Sequence, residues 1–418
     1  MRTVTLQAAQ RALTGLTALL LATASAPAAQ KVGPVTDDIG VITIPKGAPI
    51  QIAGYWVLSG PDAALGIDQK RGVEIAIKDF GGKLLGHPLT LAAEDSLCTP
   101  EGGQTAATKI AANPKNVIVV GPSCSSEATA AAPVLWNAGL TDIGTSTSAP
   151  ALTAADRKPA YDGYARTVFS DVDEGPADAN FLFNVLKAKK IVTVNDGSPY
   201  SVQLTEVMVK HFKEIGGTVL SQEAVAPTDV DMHPLLVRIA TEKPDAIYLP
   251  LFVGAAAQIV RQSKETSGLE KTTLLGGAGL MAADMIQAAG PAVVGFKLAY
   301  PDLSPESMGK GYPKFVEEYK KTYGEAPISG YHANAYDAAT LALKAIEKVA
   351  VTDKSGVTYI GKKALRDAVF ASHFDGVSGQ IACDAHGQCA KFHFAAYEYT
   401  SADPKSYDVG KNPKKIYP

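Results

Sequence analysis

The stretch VIVVGPSCSSEATAAAPVLW, residues 117–136, decides how this chain folds. Four β-branched residues lead into Gly121 and Pro122, a serine-rich segment follows, and an alanine-rich run then ends in apolar residues. A β-branched run predicts a buried strand, and the alanine-rich run predicts a helix. We therefore predict a strand, a loop filled with hydroxyl groups, and a helix.

Strand and helix patterns alternate on both sides of this stretch, in two series of similar size. The first series runs from about residue 50 to residue 148, and the second from about residue 190 to residue 276. Such alternation predicts parallel sheets with helices on both faces. Because 418 residues are too many for one core, we predict an α/β protein of two lobes, each built on one parallel sheet.

The chain changes character after residue 300, where strands become scarce. Helices are expected at about 311–323 and 331–349, with a shorter one near 362–370, and VSGQIACDAHGQCAKFHFAAYEY alternates like a β-hairpin. This part has too few strands for a sheet of its own and must complete lobes already begun. We expect a signal peptide at 1–29, a leader segment at 30–48, a first lobe of 49–170 plus 301–375, and a second lobe of 171–300 plus 376–418.

The first 29 residues have the three parts of a secretory signal peptide. Arg2 and Arg11 accompany an apolar run from about Leu13 to Ala22, and A-x-A triplets follow at 24–26 and 26–28. The apolar run is short for a membrane span. We therefore predict a soluble, exported protein. Cleavage removes two arginines and no acids, which changes the net charge from −3 to −5, and the chain has no basic block that would suit nucleic acid.

The four cysteines are an even number, and export makes disulfides the default. Cys383 and Cys389 flank DAHGQ, a spacing short enough for a bridge across the base of a hairpin, which leaves Cys98 to pair with Cys124. Zinc is the alternative for the first pair, because histidines at 386 and 393 complete a C-x2-H-x2-C-x3-H pattern. We favour two disulfides and expect neither a metal nor a cofactor.

The serine-rich loop that ends in Ser125 and Ser126 suits an anionic ligand. Ligands of open α/β sheets bind beyond the carboxyl ends of strands, and a helix that begins there directs N–H groups and its positive dipole end toward them. A second hydroxyl-rich segment, IGTSTSAPALT at 143–153, follows the next strand. The two loops would form one patch, although a serine at a helix start can also serve only as a cap.

Several motifs occur in an order that resembles a known family. They are SGPDAALG (59–66), DSLCTP (95–100), GPSCSS (121–126), TSAPALT (147–153), DEGP (173–176), NDGSPYS (195–201) and YHANAYDAA (331–339). Over about 350 residues the chain resembles the periplasmic solute-binding proteins of branched-chain amino acid ABC importers. The resemblance implies a type I periplasmic binding protein fold, with two lobes that close on a ligand, and it implies the disulfide Cys98–Cys124.

The resemblance also implies which residues contact the ligand. The family's serine that holds the ligand carboxylate falls on Ser125, its two further carboxylate contacts fall on Ser146 and Ser148, and its tyrosine on the second lobe falls on Tyr200. Ser126 is a further expected donor. We therefore expect a small carboxylate-bearing solute.

Three positions depart from the family. Its first-lobe tyrosine falls on Leu65 and a second-lobe tyrosine on Phe252, and its glutamate that pairs the ligand ammonium falls on Ala278. Because a buried ammonium without a counter-charge is costly, we expect a ligand without an ammonium held in the family's way. Tyr55, Trp56, Phe252 and Tyr200 would then enclose a flat or apolar body, such as an aromatic acid or a keto acid.

As a whole, the sequence predicts a monomeric binding protein that passes its solute to an ABC permease and catalyses no reaction. A ligand-sensing module of a receptor is the alternative that shares the fold. An exported enzyme of similar shape would need a histidine in the cleft, and His332 is the candidate. The dinucleotide-like pattern at 277–282 lacks an acid at the end of a strand about 20 positions on, and we set it aside.

Overall fold

The computed structural model describes residues 29–418, so the predicted signal peptide lies outside the described part except for its last residue. Strands and helices are numbered in chain order. The first part of the chain forms β1 (Gln30–Val32), β2 (Val35–Asp37), β3 (Val41–Ile44), β4 (Ile50–Trp56), α1 (Ala63–Asp79), β5 (Lys83–Leu84), β6 (His87–Asp95), α2 (Pro100–Ala112), β7 (Asn116–Val120), α3 (Ser125–Asn137), β8 (Asp142–Gly144) and β9 (Tyr164–Arg166).

A second series of strands and helices follows. It consists of α4 (Asp171–Asn180), β10 (Lys190–Asn195), α5 (Pro199–Glu214), β11 (Thr218–Ala224), α6 (His233–Glu242), β12 (Ala246–Leu249), α7 (Val253–Ser263), β13 (Thr273–Gly276), α8 (Ala283–Ala289) and β14 (Lys297–Pro301). The remaining elements are α9 (Tyr312–Tyr323), α10 (His332–Val349), β15 (Val351–Thr352), β16 (Thr358–Gly361), α11 (Lys362–Phe370), β17 (His373–Asp375), β18 (Gln380–Ala382), β19 (Phe394–Glu398) and β20 (Lys414–Tyr417).

The first sheet has the order β5-β6-β4-β7-β8-β9, and its neighbours are parallel except for β5 and β6. All five residues of β7 are buried, as expected for a central strand covered on both faces. Ile52 and Ile118 pack toward α1 and α10, whereas Ala53 and Val119 pack toward α2 and α3. The strand predicted from residues 117–120 is therefore the centre of the first lobe.

The second sheet repeats this arrangement, with the order β11-β10-β12-β13-β14-β19-β20. Its first five strands are parallel, and β19 and β20 join antiparallel at the far edge. In both sheets the first strand of the series lies between the second and the third, so the strand order reverses there. Loops diverge at such a point and form a ligand crevice beyond the strands' carboxyl ends. The predicted fold class, two parallel-sheet lobes with helices on both faces, is confirmed.

The leader segment 30–48 forms part of the first lobe. Strand β3 pairs antiparallel with β16, and Asp37 accepts hydrogen bonds from the backbone N–H groups of Lys363 (3.1 Å) and Ala364 (3.0 Å) at the start of α11. The leader segment is therefore held to the first lobe by the β3–β16 pairing and by the hydrogen bonds of Asp37. The sequence pattern did not predict these contacts.

The third crossing between lobes lies later than the sequence suggested. Ile381 and Cys389 pack in the same core as Ile52 of the first lobe. The N–H of Arg166 in β9 donates to Gly387 O at 2.8 Å, and Cys389 N donates to Arg166 O at 3.0 Å. The hairpin β17–β18 and the loop after it thus continue the free edge of the first sheet, and the chain enters the second sheet only at β19.

Both predicted disulfides, Cys98–Cys124 and Cys383–Cys389, are present. The second bridge uses the two sulfur atoms that a zinc site would need. The zinc alternative is therefore wrong. The first bridge ties the loop after β6 to the loop after β7.

Candidate functional site

A small pocket lies between the lobes, at the carboxyl ends of both sheets. The first lobe contributes Leu65 and four serines, at 123, 125, 146 and 148. The facing wall consists of Tyr200, Phe252, Gly279 and Tyr331. Hydroxyl groups therefore face aromatic and apolar side chains across the pocket.

Ser125 begins helix α3 and joins the two serine loops. Its Oγ accepts a hydrogen bond from Ala149 N at 3.2 Å, so its own proton remains for an acceptor in the pocket. The first N–H groups of a helix have no acceptor within the helix, and the helix dipole is positive at that end. This wall is therefore arranged to donate to an anion.

Two of the serine positions belong to an internal network centred on Gln69. Gln69 Nε2 donates to Ser146 Oγ at 2.9 Å and to Leu65 O at 3.0 Å, and Ser146 Oγ donates to Ser123 O at 2.5 Å. The Ser146 hydroxyl is thus bonded within the wall and is not directed at the ligand. Gln69 holds both loops in register, a role that no sequence pattern predicted.

Glu127 fixes the disulfide beside the pocket. Its carboxylate accepts hydrogen bonds from Ser96 Oγ (2.6 Å), Cys98 N (2.7 Å) and Cys124 N (2.8 Å). Burial raises the pKa of Glu127 to about 7, although these donors act in the opposite direction. The two half-cystines and Glu127 form a group of three possible metal ligands, but the sulfurs are bonded to each other.

Aromatic side chains form the second-lobe wall. The Tyr200 and Phe252 ring centroids are 5.2 Å apart, and the Tyr200 hydroxyl accepts a hydrogen bond from Gly279 N at 3.3 Å. Tyr331, the residue that precedes α10 of the first lobe, is 3% exposed and extends this aromatic surface. This wall offers apolar faces to the body of a ligand. Tyr331 and Gly279 were not among the predicted contacts, although Tyr331 lies in a motif that supported the resemblance.

Four predicted ligand contacts do not line the pocket. The Tyr55 hydroxyl donates to Asp142 Oδ2 at 2.8 Å within the first-lobe core. The Trp56 ring folds back over Gly54 into the first-lobe core, and its Nε1 donates to Thr145 Oγ1 at 3.3 Å. Ser126 donates to Cys98 O at 2.9 Å and faces a second, outer cavity at the cleft mouth. Ala278 is buried beside the pocket, and its N–H donates to Glu174 Oε1 at 2.7 Å.

His332, the histidine that an enzyme of this shape would need, lies outside the pocket wall, and so do the acids Asp68 and Asp196. His332 Nδ1 is 3.0 Å from Asp68, and both side chains are fully buried outside the pocket wall. Asp196 accepts from Ser198 N at 2.9 Å and lines the outer cavity. The enzyme alternative therefore has no histidine beside the pocket serines within residues 29–418.

Hydrogen bonds across the cleft hold the lobes together in a closed arrangement. Asp62 of the first lobe accepts from Val253 N, the first residue of α7, at 2.9 Å. Asp284 of the second lobe accepts from Ala64 N, in the first turn of α1, at 3.0 Å. Each lobe thus provides a carboxylate for the start of a helix in the other lobe.

Comparisons with known proteins agree with this architecture. A sequence profile of the family described as Periplasmic binding protein matches residues 49–402. The Leu/Ile/Val-binding protein of Citrobacter freundii is 28% identical over 254 residues, which are 60% of this chain and 67% of that protein.

Solved structures share the fold. A leucine-binding protein of Thermotoga maritima superposes with a TM-score of 0.75 at 25% identity, over 85% of this chain and 96% of its own. A benzoate-bound solute-binding protein of an ABC transporter from R. palustris gives a TM-score of 0.71 at 22% identity, over 89% and 98% of the two chains.

Within residues 29–418, none of the helices has the length and apolar character that a membrane span requires. The family profile covers most of the chain, and the two lobes, the cleft and the serine loops match the expectation drawn from the motifs. The chain therefore belongs to the periplasmic binding protein family, among the solute-binding proteins of ABC transporters, and it is a binding protein and not an enzyme.

Proposed function

We propose that this protein captures a small carboxylate-bearing solute outside the cytoplasm and delivers it to an ABC importer in the membrane. The observation that carries the proposal is the first-lobe wall, where the Ser125 hydroxyl and the start of α3 meet the Ser146–Ser148 loop. Hydroxyl and N–H donors at a helix start suit an anionic group.

The pocket composition supports a carboxylate held on one side and an apolar body on the other. No charged side chain is among the residues of the described chain that line the pocket. Neutral donors therefore hold the anionic group, as hydrogen bonds to a charged acceptor are stronger than those between neutral groups. Tyr200, Phe252 and Leu65 provide the apolar contacts.

The relatives support the solute class in broad terms. Their names state that they bind leucine, isoleucine or valine, and the R. palustris structure holds benzoate. Both classes carry a carboxylate next to an apolar body. The signal peptide predicted at residues 1–29 supports export to the periplasm.

Calorimetry with carboxylates and their primary amides tests this function. Each amide keeps the shape of its acid and loses the charge. We expect at least one amino acid or aromatic acid to bind and its amide to bind at least tenfold more weakly, or about 1.4 kcal/mol. Equal binding of acid and amide would contradict the proposal. Loss of uptake of that solute in a deletion strain would support the role in import.

A further inference from the structure

The outer cavity at the cleft mouth is much larger than the pocket at the serine wall. Its volume is about 440 Å³, within the range of about 300–1,000 Å³ that is usual for small-molecule sites. The pocket itself has a volume of about 10 Å³, which is the space of about one water molecule. A solute held by the serine wall therefore has room there for its end group, and the outer cavity has the space for a longer body.

The two spaces share a wall. Phe252 is half-buried and lines both the pocket and the outer cavity. Ser125 lines the pocket, and the next residue, Ser126, lines the outer cavity. A chain that leaves the serine wall along the Phe252 ring thus enters the outer cavity.

Apolar groups from both lobes form most of the surface of the outer cavity. Besides Phe252, the apolar members are Pro61, Leu97 and Pro100 of the first lobe and Pro199, Pro227 and Ala255 of the second. Burial of apolar surface from water is favourable. Because the cavity is formed by both lobes, an apolar chain that lies in it would stabilise the closed arrangement.

The acids of the outer cavity are paired with helix starts. Asp62 accepts from Val253 N at 2.9 Å, Asp196 accepts from Ser198 N at 2.9 Å, just before α5, and Glu101 lies in the first turn of α2. A carboxylate is stabilised at the positive end of a helix, so these acids do not require a cation from the solute. Among residues 29–418, no lysine, arginine or histidine lines the cavity. A second anionic group of a solute would therefore meet only negative side chains there.

Leu97 presents an apolar side chain at the rim of this cavity. It is 53% exposed, and both Leu97 and Cys98 have a φ of 58°, in the left-handed region that is unfavourable for residues other than glycine. Leu97 N donates to Asp95 Oδ1 at 3.1 Å, and the bridge to Cys124 fixes Cys98. Backbone strain of this kind is concentrated at functional sites.

We propose that the outer cavity is a second solute subsite, which takes the apolar chain of a monocarboxylate whose carboxylate lies on the serine loops. The solute is then a monocarboxylic acid with a chain that extends beyond Phe252, and not a dicarboxylic acid. This inference rests on the proposed function, which places the carboxylate at Ser125.

The test is calorimetry of the purified protein with a chain-length series. The series consists of butanoate, hexanoate, octanoate and decanoate, each paired with the dicarboxylate of the same length. We expect the affinity of the monocarboxylates to rise about tenfold with each added pair of methylene groups until the cavity is filled, a gain typical of burying two methylene groups. Each of the longer dicarboxylates should bind at least about tenfold more weakly than its monocarboxylate, because its far end would place a charge against apolar and acidic groups.

Two substitutions at Leu97 locate the subsite. Leu97→Ala should weaken octanoate binding about fivefold and butanoate binding less than about twofold, because only the longer chain reaches residue 97. Leu97→Lys brings a cation to the rim and should reduce the preference for octanoate over octanedioate at least about tenfold. This second variant is read from a change of preference, which a fold defect would not produce.

Leu85 offers a matched control for both substitutions. It is also an exposed leucine with a positive φ, of 53°, and it lies in the turn between β5 and β6, away from the residues that line the cavity. Leu85→Ala and Leu85→Lys should leave the affinities for the whole series unchanged. Circular dichroism confirms that each variant is folded.

The outcomes separate the inference from the function on which it rests. If octanoate binds no more tightly than butanoate, or if Leu97→Ala weakens both acids equally, the inference is overturned. Binding of leucine or benzoate to the same protein would then leave the proposed function standing. If no carboxylate, short or long, binds the folded protein, the inference is overturned too, and the proposed solute class falls with it.

Discussion

Ser125 and Ser126 are adjacent hydroxyls in the first turn of α3, and they face different spaces. Ser125 lines the pocket, whereas Ser126 donates to Cys98 O and faces the outer cavity. The sequence motif marks both equally. The side on which each hydroxyl lies follows from the helix start at 125 and the position of the disulfide, and neither could be read from the pattern of residues.

This pair provides a matched test of the carboxylate wall. Ser125→Ala should weaken solute binding by about 1.5–3 kcal/mol, the usual contribution of a hydrogen bond to a charged group. Ser126→Ala should leave the affinity within about threefold of the wild type, since its proton is bonded to the backbone. Calorimetry with the carboxylate that binds the wild type most tightly measures the affinity of both variants. Equal losses in the two variants would mean that the anionic end lies outside the Ser125 loop.

Trp56 shows why an aromatic residue at a strand end is hard to assign from sequence. Residues 54 and 56 are on the same face of β4, and the space left by Gly54 admits the indole ring. A ligand contact and a core residue look alike in the string GYW. The choice depends on which face of the strand the helices α1 and α10 cover.

Glu127 should make the stability of the protein fall as pH rises. Its pKa is about 7 in the folded protein against an ordinary value of 4.5, so between these values the folded chain holds a proton that the unfolded chain has released. The stabilisation is full below pH 4.5 and is lost as pH rises through 7, an effect of about 3 kcal/mol.

Urea unfolding between pH 4.5 and 7.5 measures this effect. The slope of the unfolding free energy against pH should become shallower in Glu127→Gln, because glutamine binds no proton in this range. Glu101→Gln, at an exposed site in α2, should keep the wild-type slope. A slope unchanged in Glu127→Gln would show that other buried carboxyls carry the effect.

At the scale of elements, the starts of α1 and α7 are the contacts that close the cleft. Asp62 and Asp284 each accept from an N–H at the start of a helix in the opposite lobe. Neither acid is among the residues that line the pocket. Carboxylates at helix starts contribute about 1 kcal/mol each, so they add to the closed state without lining the pocket.

Removing these contacts should lower affinity at a distance from the pocket. Asp62→Ala and Asp284→Ala should each weaken binding about fivefold, equivalent to about 1 kcal/mol, and they should do so for every solute that binds. Asp375→Ala, an exposed acid of β17, serves as the control. Unchanged affinity in both cleft variants would show that these bonds do not distinguish the closed state from the open one.

The elements that bear the serine loops were predictable, whereas the contact between α4 and the loop after β13 was not. Buried strands followed by hydroxyl-rich loops give a local signal, because strand ends and helix starts create the site by themselves. The acids of α4 carry no such signal. Glu174 accepts from the backbone of Ala278, more than 100 residues away in sequence, because the chain crosses between lobes at Ser170.

At the scale of the whole molecule, two lobes joined by three crossings should open and close as rigid bodies. Small-angle scattering should show a smaller radius of gyration at saturating solute than without it. Asp62→Ala with Asp284→Ala should enlarge the radius in the absence of solute. An identical radius in all these states would contradict closure on the solute.

The two-lobed plan was visible in the sequence as two alternating series, and the last domain boundary was not. Residues 376–390 follow the same alternating pattern whether they extend the first sheet or the second. Their position is settled by contacts distant in sequence, through the backbone of Arg166 and the packing of Ile381. A pattern of local periodicity contains no information about which sheet edge is free.

The serine wall belongs to the first lobe alone, and this has a kinetic consequence. An open molecule already presents Ser125 and Ser148 together, so a solute can dock on one lobe before the other arrives. The association rate should then depend on the first lobe. Residence time should depend on the second lobe and on the bonds of Asp62 and Asp284, since these must break before release. Replacing Tyr200 or Phe252 would therefore shorten the lifetime of the complex and leave the capture rate nearly unchanged.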